Sequence, residues 1–111
     1  MRLALQDGLT GLGNRRHFDQ QLQRAISQAN RNKTQIRLML IDLDKFKPVN
    51  DNHGHQTGDK LLIAAAERIN HCVRDNDTVS RLSGDEFGVI LADINQFSDA
   101  LRVSEQIHKT M

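Results

Sequence analysis

The chain has no tryptophan and no tyrosine, and its 111 residues include a single cysteine, Cys72, and a single proline. Four phenylalanines are its only aromatic residues, which argues against a base-stacking surface for single-stranded nucleic acid. One cysteine excludes an intrachain disulfide framework and favours a reducing, cytoplasmic compartment, and membrane tethering of a longer parent protein stays open. No stretch approaches the ~20 apolar residues of a membrane span, and residues 1–6 are too short and too polar for a signal peptide.

Positive and negative charges are nearly balanced, since the sequence has 15 Lys and Arg residues and 14 Asp and Glu residues. A net charge of +1 does not predict general binding to nucleic acid or to anionic membranes. The length fits one domain with one core, so we treat residues 1–111 as a single domain.

The spacing of apolar residues predicts the order helix, strand, helix, hairpin, helix. Helices are predicted over 15–30, 58–74 and 97–111, and strands over 36–43, 78–82 and 87–91. This order indicates an α+β fold with a sheet flanked by helices. Residues 36–43 are almost continuously apolar, which predicts a strand covered on both faces near the middle of the sheet. A chain that ends on a helix beside three strands looks unfinished, so we expect a truncated domain.

Two groups of carboxylates stand where neighbouring elements end. Asp42 and Asp44 close the first predicted strand, and Asp85 and Glu86 lie in the hairpin turn. Carboxylates at a strand end and a turn can converge on one point, where they would suit Mg²⁺ with substrate phosphates as further ligands. The alternative is that these acids are solvated or cap helices.

Three other polar residues have both a functional and an ordinary interpretation. Lys47 could neutralise a phosphate, or could be a solvated surface lysine. Asn50 and Asp59 carry the amide and carboxylate groups that read a guanine edge, yet alone they fit a turn and a first helical turn. The histidines at 53 and 55 match no common zinc spacing.

Four motifs together resemble the GGDEF family of bacterial diguanylate cyclases. They occupy residues 7–16 (DGLTGLGNRR), 42–51 (DLDKFKPVND), 54–59 (GHQTGD) and 81–87 (RLSGDEF). The resemblance implies a palm-like nucleotide cyclase fold with a central, mainly antiparallel sheet. It also implies the condensation of two GTP into cyclic di-GMP with loss of two pyrophosphates.

The resemblance implies roles for the residues that match these motifs. Asp42 and Asp85 would bind Mg²⁺, or Mn²⁺ as an alternative, with help from the backbone carbonyl of Leu43. Asp85 or Glu86 would help to activate the ribose 3′-hydroxyl, and Lys47 would stabilise phosphate charge. Metals in such sites clamp the attacking and leaving oxygens while the protein positions them.

Nucleotide binding is implied for four further positions. Asn50 and Asp59 would grip the guanine, and Phe46 would help to wall the pocket. Gly84 would let the turn backbone approach the phosphates.

An inhibitory product-binding site is also implied, because Arg74 and Asp77 match the family's RxxD pattern, with five residues between Asp77 and Ser83. Two departures from the family are visible. Ser83 replaces the first glycine of the signature, and serine resists the positive φ that glycine allows, but active family members carry Ser or Ala at this position, so we expect the change to be tolerated. The family's last strands and the helix that carries a phosphate-binding Lys and Arg have no counterpart, so we expect the isolated 111 residues to be a poor cyclase.

The partners expected from the resemblance are GTP, cyclic di-GMP, a second copy of the domain for catalysis, and an N-terminal sensory domain in the parent protein. Nucleic acid is not expected. Two other functions stay open: a degenerate domain that senses GTP or cyclic di-GMP without turnover, and a structural dimerisation module. Turnover of GTP distinguishes the cyclase from both.

Overall fold

The computed structural model describes residues 4–43, 46–94 and 97–110, and its elements follow the predicted order. The helices are α1 (Arg15–Asn32), α2 (Phe46–His53), α3 (His55–His71) and α4 (Phe97–Thr110), and the strands are β1 (Gln35–Asp42), β2 (Thr78–Ser83) and β3 (Glu86–Ile94). The predicted α+β class is confirmed, because these strands form one antiparallel sheet beside helices.

The central strand of the sheet is β3, which pairs with β1 on one side and with β2 on the other. Its residues from Phe87 to Ala92 are all buried. Along an antiparallel pair, the side chains of successive residues point to opposite faces. A strand buried on both faces therefore needs helices on both faces.

Helices cover the two faces of the sheet unequally. On one face, Phe87, Val89 and Leu91 pack in a large cluster that includes residues of α3 and α4. On the other face, Ile90 packs with Phe18 and Ala25 of α1. The sheet is thus enclosed at β3 by helices from both ends of the chain.

The prediction that residues 36–43 form a central strand is wrong for the described chain. β1 is an edge strand, and its Leu38 and Leu40 are 49% and 67% exposed. Leu38 pairs with Ile90 and so lies on the α1 face, but α1 packs mainly over β2 and β3. Ile26 of α1 is 41% exposed. A run of apolar residues shows that a strand is hydrophobic. Whether its side chains are buried depends on the elements that pack beside the strand.

Pro48 is the third residue of α2, where its missing N–H has no intrahelical partner to lose. Two predicted boundaries near the functional motifs move. The helix predicted over 58–74 instead begins after Gly54 and ends at His71, which leaves Arg74 in a loop. The first strand of the hairpin reaches Ser83, so the turn itself consists of Gly84 and Asp85.

The glycine-rich loop before α1 is tied to the sheet. Gly13 forms a bridge with Ser80 of β2, and the backbone N–H of Arg81 donates to the Gly13 carbonyl at 2.9 Å. Asn14 caps α1, since its Oδ1 accepts from the N–H of His17 at 3.0 Å. Within the described residues, no helix has the length and apolar character needed to cross a membrane.

Gly88 marks the closest approach of α1 to the sheet. A Cβ added there would lie 2.6 Å from Cε1 of Phe18 and 3.0 Å from Cδ1 of Leu82. Both neighbours belong to the cluster under α1, so neither can move without disturbing the packing there.

We expect Gly88→Ala to lower the free energy of unfolding by ~1–3 kcal/mol, the usual cost of overpacking a core. Gly8→Ala is the matched control, because a Cβ at Gly8 meets no atom within 4 Å, and we expect it to change stability by less than about 0.5 kcal/mol. Urea unfolding of both variants beside the wild type measures the difference. Equal stability of the two variants would contradict the close packing at Gly88.

Candidate active site

The sheet brings the two predicted carboxylate groups together. Asp42, the last residue of β1, is the register partner of Glu86, the first residue of β3. The N–H of Leu43 donates to the carbonyl of Asp85 at 3.2 Å, which joins the end of β1 to the hairpin turn. Asp42, Asp85 and Glu86 therefore belong to one corner of the sheet. Asp44, which was predicted to join them, lies outside the described residues.

The donors at this corner fit a hard divalent cation. Mg²⁺ is usually held by one or two carboxylates together with waters and substrate phosphates, and Asp42 and Asp85 can supply two. The carbonyl of Leu43 already accepts from the N–H of Phe46 at 3.1 Å, but a carbonyl has a second lone pair for a metal. Across the described ranges, no three His, Cys, Asp or Glu residues form a group that could hold a metal by themselves.

The turn between β2 and β3 takes its shape from Gly84, whose φ is +32°. Ser83 precedes it as the last residue of β2 and does not have a positive φ. The serine that replaces the first glycine of the signature therefore causes no backbone strain. Asp85 and Glu86 are half-buried, which leaves both side chains within reach of a ligand.

The four residues predicted to contact phosphate or guanine lie on α2 and α3. Phe46 and Asn50 are half-buried on α2, whereas Lys47 on α2 and Asp59 on α3 are exposed. Among described atoms, Oδ1 of Asn50 is buried and has no hydrogen-bond partner.

Gly58 explains how the Asn50 side chain fits. A Cβ at Gly58 would lie 2.5 Å from Oδ1 of Asn50 and 3.3 Å from the Phe46 ring, so only glycine leaves room for both. This contact could not be predicted from the motif at residues 54–59, because nothing in that pattern shows which side chain packs on which glycine.

Arg74 and Asp77 meet at the opposite end of β3. The guanidinium of Arg74 contacts Oδ1 of Asp77 at 3.2 Å and donates to the carbonyl of Ala92 at 2.6 Å. Glu86 and Ala92 are six residues apart along β3, which is about 20 Å at the usual rise of a strand. The two candidate sites are thus well separated.

The two members of this pair differ in what they offer to a ligand. The side chain of Asp77 is fully buried, and it accepts from the N–H of Arg74 at 2.9 Å and the N–H of Ala92 at 3.0 Å. About half of the Arg74 side chain is exposed, and its hydrogen bond to Asp77 raises its pKa despite the opposing effect of burial. Asp77 therefore orients Arg74, and Arg74 is the group that a ligand can reach.

A second ion pair, between Asp7 and Arg81, was missed by the sequence analysis. Nη1 of Arg81 lies 3.2 Å from Oδ1 of Asp7, and Nε of Arg81 donates to the carbonyl of Gly84 at 2.9 Å. Burial raises the pKa of Asp7, but hydrogen bonds from Thr10 and the charge of Arg81 outweigh it and hold that pKa below its usual value. In the sequence, the two residues share only one property: Asp7 opens the motif at residues 7–16 and Arg81 opens the motif at residues 81–87.

An open cleft of about 820 Å³ lies on the α1 side of this ion pair. Its lining includes Arg15, Arg16, Arg81 and Gly84, but neither Asp42 nor Asp85. The cleft thus borders the turn at Ser83 and Gly84 but is not lined by the candidate carboxylates. The strand register, and not this cleft, brings the candidate catalytic residues together.

Residues 4–111 match the family described as "Diguanylate cyclase, GGDEF domain", and the chain belongs to that family. It is 44% identical over 108 residues to the diguanylate cyclase TpbB of Pseudomonas aeruginosa, an alignment that covers 97% of this chain and 25% of TpbB. The chain thus spans about a quarter of the length of this relative.

Solved structures agree with the family. A structure of TpbB comprising only the GGDEF domain superposes with a TM-score of 0.92 at 43% identity, covering 96% of this chain and 62% of that one. The GGDEF domain of DgcB from Caulobacter crescentus, solved in complex with cyclic di-GMP, gives a TM-score of 0.88 at 37% identity with the same coverage of each chain.

We expect Asp77→Asn to lower the free energy of unfolding by ~1–3 kcal/mol, because a buried carboxylate that accepts several hydrogen bonds is replaced by an amide with one acceptor. Asp75→Asn, a change at an exposed residue of the same loop, should stay within about 0.5 kcal/mol of the wild type. Thermal or urea unfolding of the three proteins tests this. A neutral effect at Asp77 would mean that its buried contacts do not stabilise the loop.

Proposed function

We propose that this chain is the catalytic domain of a diguanylate cyclase, which condenses two GTP into cyclic di-GMP and two pyrophosphates. The observation that carries the proposal is the pairing of Asp42 with Glu86, together with the hydrogen bond from Leu43 to Asp85. These contacts support a shared site for metal and triphosphate at the end of β1. The family and its named cyclases support the same reaction.

Magnesium, or manganese in its place, would be held by Asp42, Asp85 and the carbonyl of Leu43. When bound, the metal would neutralise triphosphate charge and lower the pKa of a coordinated hydroxyl. The chain's own contribution is to hold its donors in place before substrate arrives. Backbone hydrogen bonding between the strands does this for all three residues.

Other residues of the corner would act on the reacting groups. Asp85 or Glu86 would accept the proton of the ribose 3′-hydroxyl, which then attacks the α-phosphate of a second GTP. Lys47 is exposed on the first turn of α2 and would extend toward phosphate as a point charge. Gly84 has no side chain to obstruct phosphates at the turn.

Guanine would be held between α2 and α3. The buried Oδ1 of Asn50 leaves the amide's NH₂ group to donate to guanine O6 or N7. Asp59 would accept from N1–H and N2–H₂, and Phe46 would form one wall of the pocket. One domain binds one GTP in this scheme, so the reaction needs two domains facing each other, brought together by a partner domain in the parent protein.

We expect Asp85→Asn in the full natural chain to reduce cyclic di-GMP synthesis at least a hundredfold, because the change removes a metal ligand's charge and a general base. Stability should change little, since the residue lies in a turn. Asp75→Asn is the control, an exposed acid remote from the turn. Chromatographic measurement of product from GTP decides the matter, and synthesis near the wild-type rate would contradict the metal assignment.

Product inhibition would act through Arg74, held in orientation by Asp77. A guanidinium can pair with a phosphate through two hydrogen bonds or stack on guanine. The half-exposed side chain of Arg74 supports this role, as does its contact with Ala92, which lies six residues along β3 from Glu86. Cyclic di-GMP could then bind here without occupying the active site.

We expect Arg74→Ala to weaken cyclic di-GMP binding by about 10- to 100-fold, which corresponds to the ~1.5–3 kcal/mol of one charged hydrogen bond. Arg31→Ala removes an exposed arginine near the end of α1 and should leave binding unchanged. Calorimetric titration of each variant with cyclic di-GMP measures the effect. Unchanged binding after Arg74→Ala would refute the inhibitory site.

A further inference from the structure

The turn between β2 and β3, which consists of Gly84 and Asp85, accepts hydrogen bonds from two sides. On one side, the N–H of Leu43 donates to the carbonyl of Asp85 at 3.2 Å. On the other, Nε of Arg81 donates to the carbonyl of Gly84 at 2.9 Å. These two carbonyls belong to the two peptide groups that flank the Cα of Asp85.

Hydrogen bonds to both peptide groups restrict the backbone at Asp85. Each peptide group is planar and moves as a unit, so a hydrogen bond to its carbonyl limits how the whole group can rotate. With the groups before and after Asp85 both held in this way, φ and ψ of Asp85 are restricted, and with them the direction of its Cα–Cβ bond. The Arg81 bond is the part of this arrangement that comes from a side chain, so substitution can remove it.

Arg81 is itself held in place by Asp7. The carboxylate of Asp7 accepts from Nη1 of Arg81 at 3.2 Å, and both side chains are only 18% exposed. Asp7 in turn accepts from the N–H and hydroxyl of Thr10 at 2.9 and 2.8 Å, so it has a fixed position in the loop. A planar guanidinium bonded at two of its nitrogens has little freedom to rotate.

We propose that Arg81, held by Asp7, is a positioning residue that aims the Asp85 carboxylate at the reaction site. This inference rests on the proposed function, since Asp85 must take part in the reaction for its aim to matter. Arg81 touches neither substrate nor metal in this role. Its effect reaches the chemistry through the peptide group between Gly84 and Asp85.

The test uses the full natural chain and two conservative variants. Arg81→Lys keeps the positive charge, but one ammonium group cannot replace the two separate nitrogens that bond Asp7 and Gly84. Asp7→Asn keeps the size of the side chain and removes the charge that orients Arg81. Glu105→Gln is the control: it removes the charge of an exposed carboxylate on α4 that does not line the cleft beside the turn.

Two measurements are made on each protein: steady-state GTP turnover, and hydrogen exchange of the peptide that covers residues 82–88. We expect Arg81→Lys and Asp7→Asn each to lower kcat by about tenfold or more with KM within about twofold, since small misplacements of reacting groups are costly. Exchange in the turn should accelerate in both. The double variant should lose little more than either single one, because both changes break the same chain of contacts.

The outcomes separate this inference from the proposed function. If the wild type makes no cyclic di-GMP, the proposed function fails, whatever the exchange experiment shows at the turn. If the wild type is active and either variant keeps its kcat, or loses kcat without faster exchange at the turn, the positioning role is refuted. Loss of activity only near the melting temperature of a variant would mean that the ion pair stabilises the fold and does not aim Asp85.

Discussion

The pairing register of β3 is the constraint on which the rest of the molecule depends. β3 is hydrogen-bonded on both edges and buried on both faces, so it cannot shift without disturbing its contacts with both other strands and with α1 and α4. A slip of one residue would turn Val89 toward α1 and Ile90 toward α3, and would expose each face to the wrong partner. The same register sets Asp42 beside Glu86. The packing of the core thus determines the geometry of the carboxylate corner.

Much of this arrangement could be predicted from the sequence because it depends on local patterns. The helical spacing of Phe18 and Ala25 and the glycine in the hairpin turn have local causes, and the corresponding elements are present. The residues of the candidate site were found through motifs, and the pairing of Asp42 with Glu86 brings together two groups far apart in the chain. Their roles remain proposals that the geometry supports.

The features that were missed depend on contacts between distant parts of the chain. The edge position of β1 follows from which strands neighbour it, and its apolar run could not reveal that Leu40 is 67% exposed. The ion pair between Asp7 and Arg81 joins residues 74 positions apart. The buried hydrogen bonds of Asp77 were not predicted for a similar reason: its partner Ala92 lies on β3, and only that contact shows why the carboxylate is buried.

The serine at position 83 shows how the two kinds of information combine. From the sequence, replacing a signature glycine by serine suggests strain, because glycine often marks a positive φ. In the fold, the positive φ belongs to Gly84, and Ser83 completes β2 with its side chain exposed. The conformational requirement of the turn is therefore met by one glycine and by the hydrogen bond of Arg81 to its carbonyl. A change at Gly84 would strain the backbone, whereas position 83 accepts a side chain, and the carboxylates that follow keep the placement on which the proposed reaction depends.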